Sequence, residues 1–222
     1  MNNKKLSFIS CVNNFEEYNT ALRYINNLRV PYGYEIETIA IEKANSLTSG
    51  YNEAMNKSDA KYKVYLHQDT YILNVNFIYE IIRLFEVYPK LGMLGVIGSK
   101  TLPKGIWWQS LNLYGTVYHT LAGKGNIDLM SYSSVRNDYE KILAIDGLIM
   151  MTQYDLEWRE DIFQGWHFYD ISQCLEFIKA GYEVGVPKQR GPWCLHDTGI
   201  TNDSGYEKDR KIFIEKYKDF IL

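Results

Sequence analysis

The chain has 222 residues, 46% of them hydrophobic and 23% charged, with a formal net charge of -3. That length suits one large domain, and that balance allows a buried core and excludes wholesale disorder. No block of five or more Lys/Arg occurs, which argues against nucleic acid as a partner.

In chain order, Lys4 and Lys5 precede an apolar run over residues 6–12 that contains two serines and ends in Asn13-Asn14. Without a small-residue cleavage site it reads as a strand, not a signal peptide. Asn14 then precedes Phe15, with Glu17 three residues on, a helix-capping arrangement. Phe15, Tyr18, Leu22, Ile25 and Leu28 follow at helical spacing. Pro31 and Gly33 make a turn, and residues 36–41 form a second strand. A short helix over residues 50–57 leads to a third strand, 62–66. Ile78, Ile81, Ile82 and Phe85 share one face of a further helix, and residues 93–97 read as a fourth strand. This β-α-β-α-β-α-β order predicts a parallel, doubly wound sheet. Residues 99–141 lack clear periodicity and are expected to be irregular or to hold a small hairpin. A strand over 148–152, a helix over 170–180 closed by Gly181, a strand over 182–186 and a C-terminal helix carrying Ile212, Phe213, Tyr217 and Phe220 complete the chain.

Cys11, Cys174 and Cys194 are too few and too scattered for a disulfide framework or a zinc site. Free thiols in a reducing cytosol are the expectation. No apolar run reaches the roughly 20 residues of a membrane span. Nineteen tyrosines and five tryptophans are unusual. Such rings suit sugar faces, although a coding bias that also enriches Asn, Lys and Ile gives the same count.

In open parallel sheets, ligands bind beyond the carboxyl ends of the strands. Here those ends carry Asn13-Asn14, Glu42, His67-Gln68-Asp69 and Asp146-Gly147. A strand stopping at His-x-Asp puts two potential metal ligands on one side of the backbone. A carboxylate suits Mg²⁺ or Mn²⁺ and an imidazole suits Mn²⁺; capping of the next helix is the competing use. Gly123-Lys124-Gly125 lacks the spacing of a phosphate loop, and no Gly-x-Gly-x-x-Gly follows the first strand, which counts against a dinucleotide-dependent dehydrogenase. Trp107 and Trp108, adjacent in an extended segment, should face opposite ways, one into the core and one towards a cleft.

Several segments together carry a resemblance. Residues 64–69, Val-Tyr-Leu-His-Gln-Asp, look like a variant DXD motif. Gly50-Tyr51-Asn52 resembles the Gly-x-Asn that precedes it. Residues 92–98 with Trp107-Trp108 resemble a middle signature, Ile145-Asp146-Gly147 a Val-Asp-Gly, and residues 165–170 a Gly-Phe-His-Phe-Tyr-Asp. The chain so resembles the glycosyltransferase-like family related to a streptomycin-biosynthesis protein, within the broader family 2 glycosyltransferases. The resemblance implies a GT-A fold, α/β and Rossmann-like, with a mixed, mostly parallel central sheet and helices on both faces. It implies one domain over 1–222, with a nucleotide-sugar half (1–98) and an acceptor-side half (99–222).

The implied activity is metal-dependent transfer of a sugar, with inversion, from a nucleotide-diphosphate sugar, UDP-sugar favoured. The acceptor would be a glycan, a lipid-linked species or a small molecule, and the setting cytoplasmic. Asp69, His196 and, less regularly, His67 would hold Mn²⁺ or Mg²⁺. Asp170 would be the catalytic base, with Asp161 in reserve, and Tyr169 replaces the Glu that precedes the base in relatives. Asn13, Asn14, Glu42, Asn52, Gln68, Asp146, Gly147, Trp107 and Trp108 would lie around the donor and acceptor. A non-catalytic nucleotide-sugar or glycan-binding protein on the same fold is the alternative.

Overall fold

The structure, a computed structural model, describes residues 1–120, 126–199 and 203–222. Thirteen strands and five α-helices are formed by these residues. The strands are β1 (Asn2–Val12), β2 (Glu35–Glu42), β3 (Ala60–Leu66), β4 (Thr70–Ile72), β5 (Leu91–Gly95), β6 (Ile97–Ser99), β7 (Leu113–Thr120), β8 (Ile127–Ser131), β9 (Tyr139–Ile142), β10 (Ala144–Ile145), β11 (Ile149–Thr152), β12 (Glu183–Pro187) and β13 (Cys194–His196). The helices are α1 (Phe15–Asn26), α2 (Leu47–Lys57), α3 (Phe77–Val87), α4 (Tyr169–Lys179) and α5 (Tyr206–Lys216).

The first three strands pair as the βαβ pattern dictates, with β2 and β3 both parallel to β1. The seven-stranded sheet runs in the order β2-β1-β3-β11-β5-β12-β9. Its centre differs from a doubly wound parallel sheet: β11 sits between β3 and β5, antiparallel to both, and β9 closes the far edge antiparallel to β12. Every residue of β11 is buried, so its apolar run satisfies a parallel or an antiparallel slot equally well, and only its partners choose.

Successive residues of the central strands feed opposite faces of this sheet. Phe8, Val64, Leu94 and Met151 join the core that α1 and α3 cover with Ile25, Ile78 and Ile81. Ile9, Tyr65, Met93 and Met150 join the core covered by Tyr51 and Ala54 of α2 and by Cys174 and Phe177 of α4. Helices therefore lie on both faces. Lys63 is an exception inside β3: its fully buried ammonium donates to both carboxylate oxygens of Asp155 at 2.8 and 2.9 Å. Asn14 caps α1, its side-chain oxygen accepting from the backbone of Glu16 and Glu17, while Phe15, placed by its spacing on the apolar face, is half exposed in the first turn. Gly181, at φ +88°, takes the left-handed position that ends α4.

The expected strand over 93–97 divides at Val96, where the chain leaves β5 in the large sheet and enters β6 in a second one. That sheet runs β10-β6-β7-β13-β4, with β8 paired to β7. Of the two expectations for residues 99–141, irregular chain or a small hairpin, the antiparallel pair is the one found, with further strands beside it. β7 and β8 form an antiparallel pair, and β13 joins β7 in parallel and β4 in antiparallel register. Gly123-Lys124-Gly125 lies outside the described residues.

Candidate active site

β3 ends at Leu66, and a tight turn, closed by Thr70 N–H donating to the His67 carbonyl at 3.1 Å, reverses the chain into β4. This turn holds His67, Gln68 and Asp69. β13 pairs with β4 so that His196 stands opposite Thr70, and Asp197 N–H donates to the Asp69 carbonyl at 2.8 Å. The second sheet thereby delivers His196 to the end of the first. One ligand-type atom each of His67, Asp69 and His196 lies within 4.8 Å of the others. His67 Nδ1 is 3.4 Å from His196 Nε2, and His196 Nε2 is 3.4 Å from Asp69 Oδ1.

These spacings fit a shared cation, because ligand bonds of about 2.0–2.2 Å place neighbouring ligand atoms about 3–3.5 Å apart. Asp69 Oδ1 is buried, with the long 3.4 Å approach of His196 Nε2 as its polar contact, and a cation would complete its coordination. Burial pushes the Asp69 carboxyl up, but the hydrogen bond and charge of His196, with the charge of His67, outweigh it and hold the carboxyl below its usual range. Burial likewise opposes protonation of His196, and Asp69 more than compensates, raising it. Burial and the nearby His196 lower His67.

Two openings flank this triad. A cleft of about 440 Å³ at the ends of β1, β2 and β3 includes Asn13, Lys43, His67, Gln68, Asp69 and Trp166 in its wall. A smaller cavity of about 240 Å³ includes Trp107, Trp108, His119, Tyr132, Asp146 and His196. A larger concavity, of about 820 Å³, lies elsewhere, against residues such as Arg83, Asp138 and Lys188; it holds none of the converging histidines.

The other expected residues fall into distinct places. Gln68 Oε1 accepts from the backbone of both Asn13 and Asn14 at 2.9 Å, and its Nε2 donates to Asn13 Oδ1 at 2.7 Å, so this side chain fixes the loop after β1. Asn52 is clamped to the backbone of Trp158, donating to its carbonyl at 3.0 Å and accepting from its N–H at 2.8 Å. Its amide is thereby committed to structure. Glu42 is exposed at the end of β2, between the cleft residues Ile41 and Lys43. Trp107 is buried at 5% exposure and Trp108 is 50% exposed, their rings meeting edge to face.

Asp146 accepts from Leu148 N–H at 2.9 Å, and Gly147 N–H donates to Asp170 Oδ2 at 3.2 Å. Asp170 does not cap α4; that position is Phe168, in left-handed conformation at φ 61°. Asp170 lies in the helix's first turn, partly exposed. Burial and the charge of Asp146 raise its pKa to about 7, against the lowering effect of the backbone N–H groups of Ile171, Asp170 and Gly147. Asp161 is on the surface, ion-paired with Arg159 at 2.8 Å, which holds its carboxyl below its usual range.

Four features escaped the sequence reading. Tyr169 Oη lies 2.5 Å from His67 Nε2, a contact between residues 102 apart in sequence. Lys43 enters the larger cleft with a left-handed backbone at φ 55°, a conformation non-glycine residues rarely take. Trp166, half exposed, is in the wall of the same cleft. His119 lies beside His196 in register. Only Trp166 and Tyr169, inside the motif at 165–170, carried a signal in the sequence.

A search of curated protein sequences finds no match. Among solved structures, S. aureus TarS 1-349 in complex with UDP superposes with a TM-score of 0.59 at 10% identity, covering 96% of this chain and 65% of that one. The mannosyltransferase PcManGT from Pyrobaculum calidifontis, in complex with GDP-Man and Mn²⁺, gives 0.59 at 10% identity, covering 97% and 64%. TarS 1-349 with UDP-GlcNAc gives 0.56 at 10% identity, covering 96% and 66%. The chain so spans less than two thirds of the first two, and at these identities the likeness is one of fold, the GT-A fold of glycosyltransferases. The sequence model of the glycosyltransferase-like family matches residues 7–217, and with that extent of match the chain belongs to the glycosyltransferase-like family.

Proposed function

We propose that the chain transfers a sugar, with inversion, from a nucleoside-diphosphate sugar to a hydroxyl acceptor, using a divalent cation held by Asp69, His196 and His67. The observation that carries this reading is the convergence of those three side chains between two openings, one at each side. Mn²⁺ or Mg²⁺ bound there would stabilise the charge that develops on the departing diphosphate. The larger cleft, built mainly from residues before 98, takes the donor. Asn13, Asn14 and Glu42 surround the nucleotide, with Gln68 and Asn52 holding the loops that carry the site. The complexes of TarS with UDP and UDP-GlcNAc and of PcManGT with GDP-Man support this class of donor, and UDP-sugars are the first to test.

The smaller cavity takes the acceptor, whether glycan, lipid-linked species or small molecule, with Trp108 offering a ring face. The acceptor oxygen attacks the anomeric carbon as the bond from that carbon to the diphosphate oxygen breaks. Asp170 takes the hydroxyl proton, and a base with a pKa near 7 is matched to that task at neutral pH. Gly147 positions Asp170 through its N–H, and Asp146 stands in the wall of the acceptor cavity. Asp161, neutralised by Arg159, has no part in the transfer. A cytoplasmic setting accords with three free cysteines and with the finding that, among the described residues, no helix is long and apolar enough to cross a membrane.

The Tyr169 side chain, standing where relatives carry an acid, is the one feature that favours a non-catalytic nucleotide-sugar or glycan binder. Release of free nucleotide from UDP- and GDP-sugars separates the two readings. Turnover in Mn²⁺ that stops in EDTA and in Asp69→Ala is expected; tight donor binding with no turnover under any metal supports the binder.

A further inference from the structure

The three converging side chains are two imidazoles and one carboxylate, and this set does not suit every divalent cation alike. Mg²⁺ favours oxygen ligands in near-ideal octahedral geometry. Imidazole nitrogen suits first-row transition metals, whose affinity rises along that row, and two histidines with one carboxylate form a recurrent site for them.

Whether His67 counts as a ligand depends on which ring nitrogen carries its proton. Its Nε2 lies 2.5 Å from Tyr169 Oη, and its Nδ1 faces His196. A proton on Nε2, donated to the tyrosine oxygen, leaves the Nδ1 lone pair directed at the site. The tyrosine is firmly held: its ring is buried and packs on Tyr51 and Trp158 with centroids at 5.9 and 6.2 Å. Residue 147 must be glycine for it to fit, because a Cβ there would overlap the hydroxyl.

We propose that the site selects a first-row transition metal over Mg²⁺, and that Tyr169 is the positioning residue that makes His67 a ligand through Nδ1. The inference rests on the metal-dependent reading above and narrows it to a metal class and a tautomer.

The test uses the whole chain without donor and Co²⁺ as the probe, titrated by its visible absorption. One Co²⁺ should bind and persist in an excess of Mg²⁺. Tyr169→Phe should weaken Co²⁺ about 10–100-fold, the usual cost of losing a partner behind a ligand, in a chain that still unfolds cooperatively without metal. His67→Asp, which restores an oxygen ligand, should lower Co²⁺ affinity and raise that for Mg²⁺. Displacement of Co²⁺ by comparable Mg²⁺ would overturn the proposal. So would Tyr169→Phe binding Co²⁺ as tightly as the unaltered chain, or more tightly, since that places the proton on Nδ1. Co²⁺ binding as expected without nucleotide-sugar turnover defeats the transferase reading alone. Turnover supported equally by Mg²⁺ and Mn²⁺ defeats the metal selection alone.

Discussion

Gly147 lies so close beneath Tyr169 that a Cβ on it would overlap the tyrosine hydroxyl. The same glycine donates its N–H to Asp170, so one residue sets the distance between the loop before β11 and the first turn of α4. Gly147→Ala should destabilise by about 1–3 kcal/mol, the range for overpacking. Adding Tyr169→Phe removes the overlapping oxygen and should recover part of that loss, a non-additivity readable from urea midpoints of the single and double variants. Strict additivity would show that the hydroxyl is not the atom in conflict.

Asp170→Asn should keep donor affinity and lower turnover by about 10²–10⁴-fold, as for loss of a general base. In the unaltered chain the rate should rise with pH through about 7 as Asp170 loses its proton. Stability should move the other way. The folded carboxyl titrates near 7 and the unfolded one near about 3.9, so between those values the native state holds a proton that the unfolded state has released. Stability therefore falls as pH rises across that window and levels off above it. Asp170→Asn should be more stable than the unaltered chain at pH 8 and equal to it at pH 4, by thermal unfolding. Asp161→Asn, its carboxylate already tied to Arg159, should leave turnover near normal.

Trp107 and Trp108 divide as their burial dictates. Trp107→Ala truncates a core ring and should cost about 3–5 kcal/mol. Trp108→Ala, at a half-exposed position, should leave the urea midpoint nearly unchanged and raise the acceptor KM at constant donor affinity. An unchanged KM in Trp108→Ala would remove this ring from the acceptor site.

Asn52→Ala breaks both bonds to the Trp158 backbone and leaves the Trp158 N–H unpaired, its carbonyl keeping the Glu160 N–H, at about 1–3 kcal/mol. Donor affinity measured by calorimetry well below the unfolding temperature should change little. A large loss of affinity at full stability would mean that the amide contacts the donor directly.

The sequence by itself determined the features that depend on near neighbours. Short apolar runs located β1 and β3, and apolar residues at helical spacing located α1 and α3, because burial writes its period into neighbouring residues. The His-x-Asp at the end of β3 and the caps at Asn14 and Gly181 were legible for the same reason. Tertiary structure alone decided the rest. The place of β11 between β3 and β5 follows from pairing across the sheet, since a fully apolar strand carries no mark of its direction. His67 and His196, 129 residues apart, meet only because β13 docks on β4. That Asn52 bonds the backbone of Trp158, 106 residues away, is visible only in the fold. Tyr169 looked like the loss of an acid, yet its hydroxyl reaches His67. Such contacts come from close packing between distant segments, and no local pattern records them.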